Sequence, residues 1–239
     1  LLENLRFCGG EENNEAKFAR ELASLGDIYV NEAFAASHRA HASVSAVTKF
    51  LPSYAGPLFV EEIKNLEQVL LHPKKPLIVL VGGAKISTKV DVIKSLSKKA
   101  DFILLGGALA HPFLVAKGYG IGKSFIEKNV FATAKKLLSK KIILPIDVVV
   151  KTKGGKGLVK PLQTIGPGDI IVDIGPATIL RFAEFLRDAK TIVWNGPMGL
   201  FEEKEFSHGS VALGRFIAAR SRGRAFGVIG GGETLAVLA

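Results

Sequence analysis

The chain has 239 residues, 48% hydrophobic and 23% charged, which fits a soluble globular protein of one large or two smaller domains. Its single cysteine, Cys8, excludes an intramolecular disulfide framework and fits a reducing, cytoplasmic setting, and no apolar run reaches the roughly 18 residues of a membrane span. The net charge of +10 points to an anionic partner: nucleic acid, an acidic membrane or a phosphorylated small molecule. The lysine doublets Lys98-Lys99, Lys135-Lys136 and Lys140-Lys141 have no interleaved aromatic residues, as a single-strand binder would want, and read as solvated faces.

In chain order, residues 1–56 predict a small unit with a helix over 14–24 and a strand over 27–31, ended by Pro52 and Gly56-Pro57. Residues 58–71 follow with apolar positions at Leu58, Ile63, Leu66, Val69 and Leu70, acids early and His72 late, which suits one helix bridging two domains across 57–73. From 74 to 239, short apolar runs at 77–81, 102–105, 142–144, 148–150, 170–173, 191–194 and 225–229 predict strands. Helical patterns at 88–99, 109–117, 127–140, 177–188 and 207–221 lie between them. Most of the strands are apolar on both faces, so this half is expected to be a doubly wound α/β domain with a parallel sheet covered on each side. Residues 151–160 read as a basic, glycine-rich loop. Met198 is the only methionine, and the chain stops in what reads as the first turn of a helix, so it is expected to be a fragment.

Glycine follows a predicted strand five times, at Gly82-Gly83, Gly106-Gly107, Gly175-Pro176, Gly196-Pro197 and Gly230-Gly231-Gly232. In open α/β sheets ligands sit outside the carboxyl ends of the strands, where glycine admits close backbone approach and helix N-termini offer N–H groups to phosphate. Any one of the five would serve as an ordinary turn; together they favour a nucleotide or phosphorylated ligand. Familiar motifs are missing: there is no G-x-x-x-x-G-K-[ST] and no G-x-S-x-G, and Gly118-Tyr119-Gly120-Ile121-Gly122 follows a helix with the wrong spacing for a dinucleotide fingerprint. His38-Arg39-Ala40-His41 is too isolated from Cys or acidic ligands to be a metal site. The segment Gly82-Gly83-Ala84-Lys85-Ile86-Ser87-Thr88-Lys89 is more telling. It leaves a strand and opens a helix, and Lys85 and Lys89, four apart, are expected to stack on the first turn, where two cations oppose the helix dipole unless a polyphosphate binds there.

With these residues the whole chain resembles phosphoglycerate kinase. The blocks that carry the resemblance are Leu1-Leu2-Glu3-Asn4-Leu5-Arg6-Phe7, residues 26–34, His38-Arg39-Ala40-His41-Ala42-Ser43, residues 82–89, Trp194-Asn195-Gly196-Pro197-Met198-Gly199-Leu200-Phe201-Glu202 and residues 230–234, in family order. The resemblance implies two domains, a partial N-terminal α/β domain for 3-phosphoglycerate or 1,3-bisphosphoglycerate and a C-terminal domain for MgADP or MgATP. It implies in-line phosphoryl transfer between them, which depends on positioning and charge neutralisation. Arg6 and Arg39 match arginines that contact phosphoglycerate, with His38 and His41 beside them. Lys85 matches the lysine on the transferring phosphoryl group and Lys89 the one on the nucleotide phosphates. Gly83, Gly106 and Gly107 match positions by the adenosine, Asn195 and Pro197 the nucleotide-side loop, and Glu202 a carboxylate on the ribose. Gly230, Gly231, Gly232 and Thr234 match the phosphate-binding turn.

Glu233 stands where the family usually has the Asp that ligates nucleotide-bound Mg²⁺, and it reaches one methylene further. Thr88 stands where many members have Asp; some bacterial members carry Ser-Thr there. The family's Asp-x-Asn, His-Leu-Gly-Arg and C-terminal Ser-Thr-Gly-Gly-Gly-Ala segments do not occur in these residues, which implies little or no transfer by the chain alone. A cytoplasmic monomer acting on small molecules, without nucleic-acid or membrane partners, is the expectation. The alternatives are another α/β nucleotide enzyme and a basic nucleic-acid-binding protein.

Overall fold

Residues 1–127, 130–152 and 154–238 are described by the computed structural model. The chain divides into two units, Leu1–Gln68 and Val69–Ala239.

The first unit holds α1 (Gly9–Glu12), α2 (Ala16–Ala23), β1 (Tyr29–Asn31), β2 (Ser53–Ala55) and most of α3 (Pro57–Leu70), which leads into the second unit. The amphipathic α2 turns Ala19 inward against Ala42 and Ala46, with Phe18 and Phe50 packed alongside. Glu11, only 3% exposed, ties α1 to this core by accepting the Ser43 N–H at 2.9 Å and the Ser43 hydroxyl at 2.6 Å. The expected strand near 27–31 forms as β1 and pairs in parallel with β2, Tyr29 opposite Ser53. Sequence patterning missed β2 because three exposed residues between Pro52 and Gly56 carry no alternation. A two-stranded pair cannot cover its own faces, and Ile28, Val30 and Tyr54 are exposed.

In the second unit β3 (Leu77–Val81), β4 (Phe102–Leu105), β5 (Ile142–Ile143), β9 (Thr191–Asn195) and β10 (Phe226–Gly230) form a five-stranded parallel sheet in the order β10-β9-β3-β4-β5. The uninterrupted apolar run Leu77-Ile78-Val79-Leu80-Val81 suits its most central strand, buried at all five positions. Alternate residues serve opposite faces. Leu77, Val79 and Val81 pack beneath α4 (Val90–Ser97), α5 (His111–Ala116) and α6 (Phe131–Leu137), with Ile93, Phe113 and Ala134. Ile78 and Leu80 pack with Trp194 against Phe182 and Leu186 of α7 (Pro176–Asp188) and Leu213 and Ile217 of α8 (His208–Ser221). A last short helix, α9 (Gly232–Ala236), follows β10. The expected α/β architecture is therefore present.

Two expectations are corrected. The runs expected at 148–150 and 170–173 do not join the parallel sheet. They form β6 (Asp147–Lys151) and β8 (Ile170–Ile174) of a separate antiparallel sheet in the order β7-β6-β8. Its third strand, β7 (Gly157–Pro161), lies in the segment expected to be a loop, Lys151 opposite Gly157. Most of β7 is exposed, so no apolar alternation marks it. The helix expected over 127–140 is seen as α6 only from Phe131, residues 128 and 129 lying outside the described set. Among the described residues no helix is long and apolar enough to cross a membrane.

Candidate functional site

In the parallel sheet, β3 connects towards β4 on one side while β9 and β10 lie on the other, so the strand order reverses between β3 and β9. A crevice outside the carboxyl ends at such a reversal is the usual ligand position of open α/β sheets. Here the loops that leave the strands are locked to each other by main-chain hydrogen bonds. Gly82 N–H donates to the Asn195 carbonyl at 3.0 Å, Gly83 N–H to Pro197 at 2.8 Å and Gly107 N–H to Met198 at 2.8 Å. Leu109 N–H returns to the Gly83 carbonyl at 2.9 Å. Side chains cannot fit between backbones this close. A Cβ on Gly82 would stand 2.0 Å from the Pro197 carbonyl oxygen, and one on Gly106 would meet Met198 Sδ at 2.4 Å. Gly107 also needs a φ of +61°, open to glycine at little cost.

Lys89 sits at this junction, with its ammonium donating to the carbonyls of Gly82 at 2.7 Å, just after β3, and of Asn195 at 3.3 Å, the last residue of β9. Its Nζ occupies the space a Cβ on Gly196 would take, at 2.3 Å. Burial lowers its pKa below the ordinary 10.5, and the Glu233 carboxylate pulls in the opposite direction. Lys85 and Lys89 do not stack on a helical turn as expected, because α4 begins only at Val90. Lys85 stays exposed in the preceding loop, where Ser87 N–H donates to Glu127 Oε2 at 2.9 Å. Those Ser87 bonds hold the Glu127 carboxyl below its usual range, with a smaller contribution from the Lys85 charge.

The β10–α9 turn closes the other end. Thr234 is fully buried; its hydroxyl receives the Gly196 N–H at 2.7 Å and donates to the Gly230 carbonyl at 2.9 Å. Both bonds are thus spent on holding the turn to the β9 loop. Gly231 adopts φ +92°, and the Asn195 side-chain amide lies 3.2 Å from where a Gly230 Cβ would be. Glu233, exposed, extends from the first turn of α9.

These loops border a cleft of about 320 Å³, within the usual range for small-ligand sites. Gly83, Gly107, Pro197, Glu202 and Glu233 line it. Lys89, Asn195, Gly106, Gly230, Gly231, Gly232 and Thr234 do not; the first three and Thr234 stand behind its wall in the contacts above, and Lys85 is outside it. The fifth glycine turn, Gly175-Pro176, belongs to the other sheet and does not share this edge. Asp147 accepts the N–H groups of Ala177 at 3.0 Å and Thr178 at 2.7 Å, so the N-terminus of α7 is already capped, and Gly175 leaves room for that carboxylate.

Two polar residues of the lining were not singled out in the sequence. Asp173, at the end of β8 and 2% exposed, accepts N–H bonds from Ile174 at 2.8 Å and from Gly209 in the first turn of α8 at 2.7 Å. Burial outweighs those two bonds and pushes its carboxyl up to about 7. Its Oδ1 lies 2.3 Å from where a Gly199 Cβ would be, so it underlies the β9 loop. An acid that closes the apolar run Ile170-Ile171-Val172 is the signal that could have drawn attention to it. His111, also 2% exposed, places Nδ1 2.6 Å from the Phe125 carbonyl. It stands at the start of α5 among Ala110, Pro112 and Phe113, a context that reads as core.

In the first unit Arg6, His38 and Arg39 are exposed, and Arg6 lies 3.9 Å from Glu12. His41 is drawn to the buried Glu11, Nδ1 to Oε1 3.5 Å. Among the described residues no group of three or more His, Cys, Asp or Glu could hold a metal ion by itself.

A family model described as phosphoglycerate kinase matches residues 1–239. The phosphoglycerate kinase of Wolbachia pipientis subsp. Culex pipiens is 44% identical over 248 residues, covering 100% of this chain and 62% of that protein. That of Citrifermentans bemidjiense is 45% identical over 244 residues, covering 98% and 60%. Among solved structures, the phosphoglycerate kinase of Coxiella burnetii superposes with a TM-score of 0.85 at 39% identity, over 98% of this chain and 62% of its own. That of Pyrococcus horikoshii OT3 gives 0.86 at 31% identity, over 99% and 63%. The chain therefore spans about three fifths of the length of these relatives. With its parallel sheet, interlocked glycine turns and matching sequence from end to end, the chain belongs to the phosphoglycerate kinase family.

Proposed function

We propose that the chain takes part in the glycolytic transfer of a phosphoryl group between 1,3-bisphosphoglycerate and ADP, giving 3-phosphoglycerate and ATP, with the second unit as the nucleotide-binding part. The observation that carries this reading is the convergence of the β3, β4, β9 and β10 loops at the strand-order reversal, with the Lys89 ammonium held among them. A nucleotide suits the cleft because its wall joins backbone-lined glycine turns to apolar side chains such as Leu114 and Val148. Glu202 would receive the ribose hydroxyls, and Lys89, Asn195 and residues 230–234 would hold the phosphate side. Lys85, exposed and unencumbered by the wall, would meet the transferring phosphoryl group, with Arg39 as the other catalytic cation.

For Mg²⁺ the residues present fit the way this ion is bound with nucleotides, through one or two carboxylates plus substrate phosphates. Glu233, exposed at the cleft wall, is the ligand we assign, and the ion would neutralise phosphate charge. In the first unit Arg6, His38, Arg39 and His41 would bind phosphoglycerate. A cytoplasmic monomer working on small molecules completes the proposal.

The test is displacement of a fluorescent ADP analogue from the full chain. ADP and ATP compete, whereas nicotinamide dinucleotides do not, and retention of RNA stays weak and indifferent to sequence. Equal competition by a dinucleotide, or tight RNA binding that collapses as salt rises, contradicts the proposal.

A further inference from the structure

A buried histidine in a ligand cleft has one of two ordinary explanations, complete satisfaction within the protein or an unfilled hydrogen bond aimed at the ligand. His111 belongs to the second. Its Nδ1 is 2.6 Å from the Phe125 carbonyl, an acceptor only, so Nδ1 carries the proton. Nε2 of the neutral ring is then a lone-pair acceptor. Burial lowers the imidazole pKa below 6.5, against the smaller opposing effect of the Phe125 bond, and so favours the neutral ring.

Among the described residues Nε2 has no hydrogen-bond partner, and the one enclosed side-chain nitrogen or oxygen left without a partner there is Arg220 Nε. His111 is among the residues that line the cleft. Its neighbours in that lining, Leu114, Phe125, Pro145, Val148 and Ile171, offer apolar side chains, and Leu114, Val148 and Ile171 pack together as one cluster. The imidazole thus stands beside an apolar stretch of the wall, one helical turn from Gly107, in a cleft whose other polar side chains are the carboxylates Asp173, Glu202 and Glu233.

We propose that His111 is a specificity-determining residue of the nucleotide site, its Nε2 accepting a hydrogen bond from the exocyclic amine of a 6-aminopurine base. The proposal rests on the nucleotide reading of the cleft. A flat heterocycle suits the apolar wall, and an amine donor suits the lone pair, which would otherwise lose its hydration when the base enters. A base without a donor at that position leaves a desolvated acceptor unpaired, the situation that makes polar pockets discriminate strongly.

The experiment compares the affinity of the full chain for ADP with that for purine riboside 5′-diphosphate, identical but for the missing 6-amino group, and for N6,N6-dimethyl-ADP, which keeps the nitrogen without its protons. The expected result is about tenfold tighter binding of ADP than of either analogue. In His111→Leu the ratio falls to within about twofold, whereas a role confined to packing would weaken all three ligands together and leave the ratio as in the parent chain. The comparison in the unsubstituted chain stands whether or not that variant folds. Equal affinities there overturn the assignment to His111 while leaving the nucleotide reading intact. If none of the three binds, both fall.

Discussion

The two units differ in what fills their interiors. In the second, a central strand buried at every position is sandwiched between two apolar layers that include Trp194, Phe113, Phe182 and several leucines and isoleucines. In the first, the packed cluster is three alanines with two partly buried phenylalanines, the only other buried hydrophobic residues being Ala23 and Val47, while Phe7, Leu25, Ile28, Val30 and Tyr54 are exposed. Hydrophobic stabilisation follows apolar area removed from water, so the same chain holds a well-supported site at one sheet edge and a sparsely supported set of cations, Arg6, His38 and Arg39, elsewhere. Rigid loops at the sheet edge of the second unit suit the nucleotide role proposed for it, which depends on fixed positions of the binding groups.

The contrast is most open to attack by hydrogen exchange. Amides of α2 and β1 are expected to exchange at least about a thousandfold faster than those of β3 and β9, as local openings of small free energy precede global unfolding. Equal protection in both units would break the comparison. Next in size, Phe182→Ala should cost the second unit about 3–5 kcal/mol, by removing a fully buried ring between α7 and the sheet, measurable by denaturant unfolding.

A third effect depends on pH. The Asp173 carboxyl titrates at about 7 when folded and near 3.8 when exposed, so the folded state holds the proton more tightly. The stability this confers is complete below about 3.8 and is lost as pH rises towards 7, by up to roughly 1.4 kcal/mol per pH unit. His111 acts in the opposite sense, since its lowered pKa costs stability as pH falls below 6.5. Comparison with Asp173→Asn at each pH separates the two: the stability of the variant relative to the parent should rise from pH 5 to pH 7. A constant difference would contradict the burial of an ionisable carboxyl there. Thr234→Val, which strands the Gly196 N–H and the Gly230 carbonyl, should cost about 1–2 kcal/mol, with Thr234→Ser largely restoring it. Smallest of all, Ile28→Ala at an exposed position should stay within about 0.5 kcal/mol.

Much of the second unit was legible in the sequence because parallel strands covered on both faces must be apolar throughout, and Leu77–Val81 and Phe102–Leu105 are. Glycines beyond strand ends also carried a readable message, since no other residue admits the contacts between Gly82 and Pro197 or Gly106 and Met198. What stayed hidden depends on distant partners. Asp147 and Gly175 look like a strand residue and a turn until the carboxylate is seen capping α7 across about thirty positions. The direction of β6 and β8 is set by pairing, which apolar runs do not encode, and β7 hides because its side chains mostly face water. Lys85 and Lys89 are indistinguishable by spacing, yet one ammonium is locked to two carbonyls and the other is exposed.

That difference between the two lysines gives the most direct measurement, a calorimetric titration of MgADP into the full chain and its Lys89→Ala and Lys85→Ala variants. The account predicts saturable binding at one site, weakened at least about tenfold by Lys89→Ala and less by Lys85→Ala, because Lys89 both carries charge and holds the β3 and β9 loops together. Absence of binding, or binding that Lys89→Ala leaves unchanged, would contradict the assignment of the β3/β9 crevice as the nucleotide site.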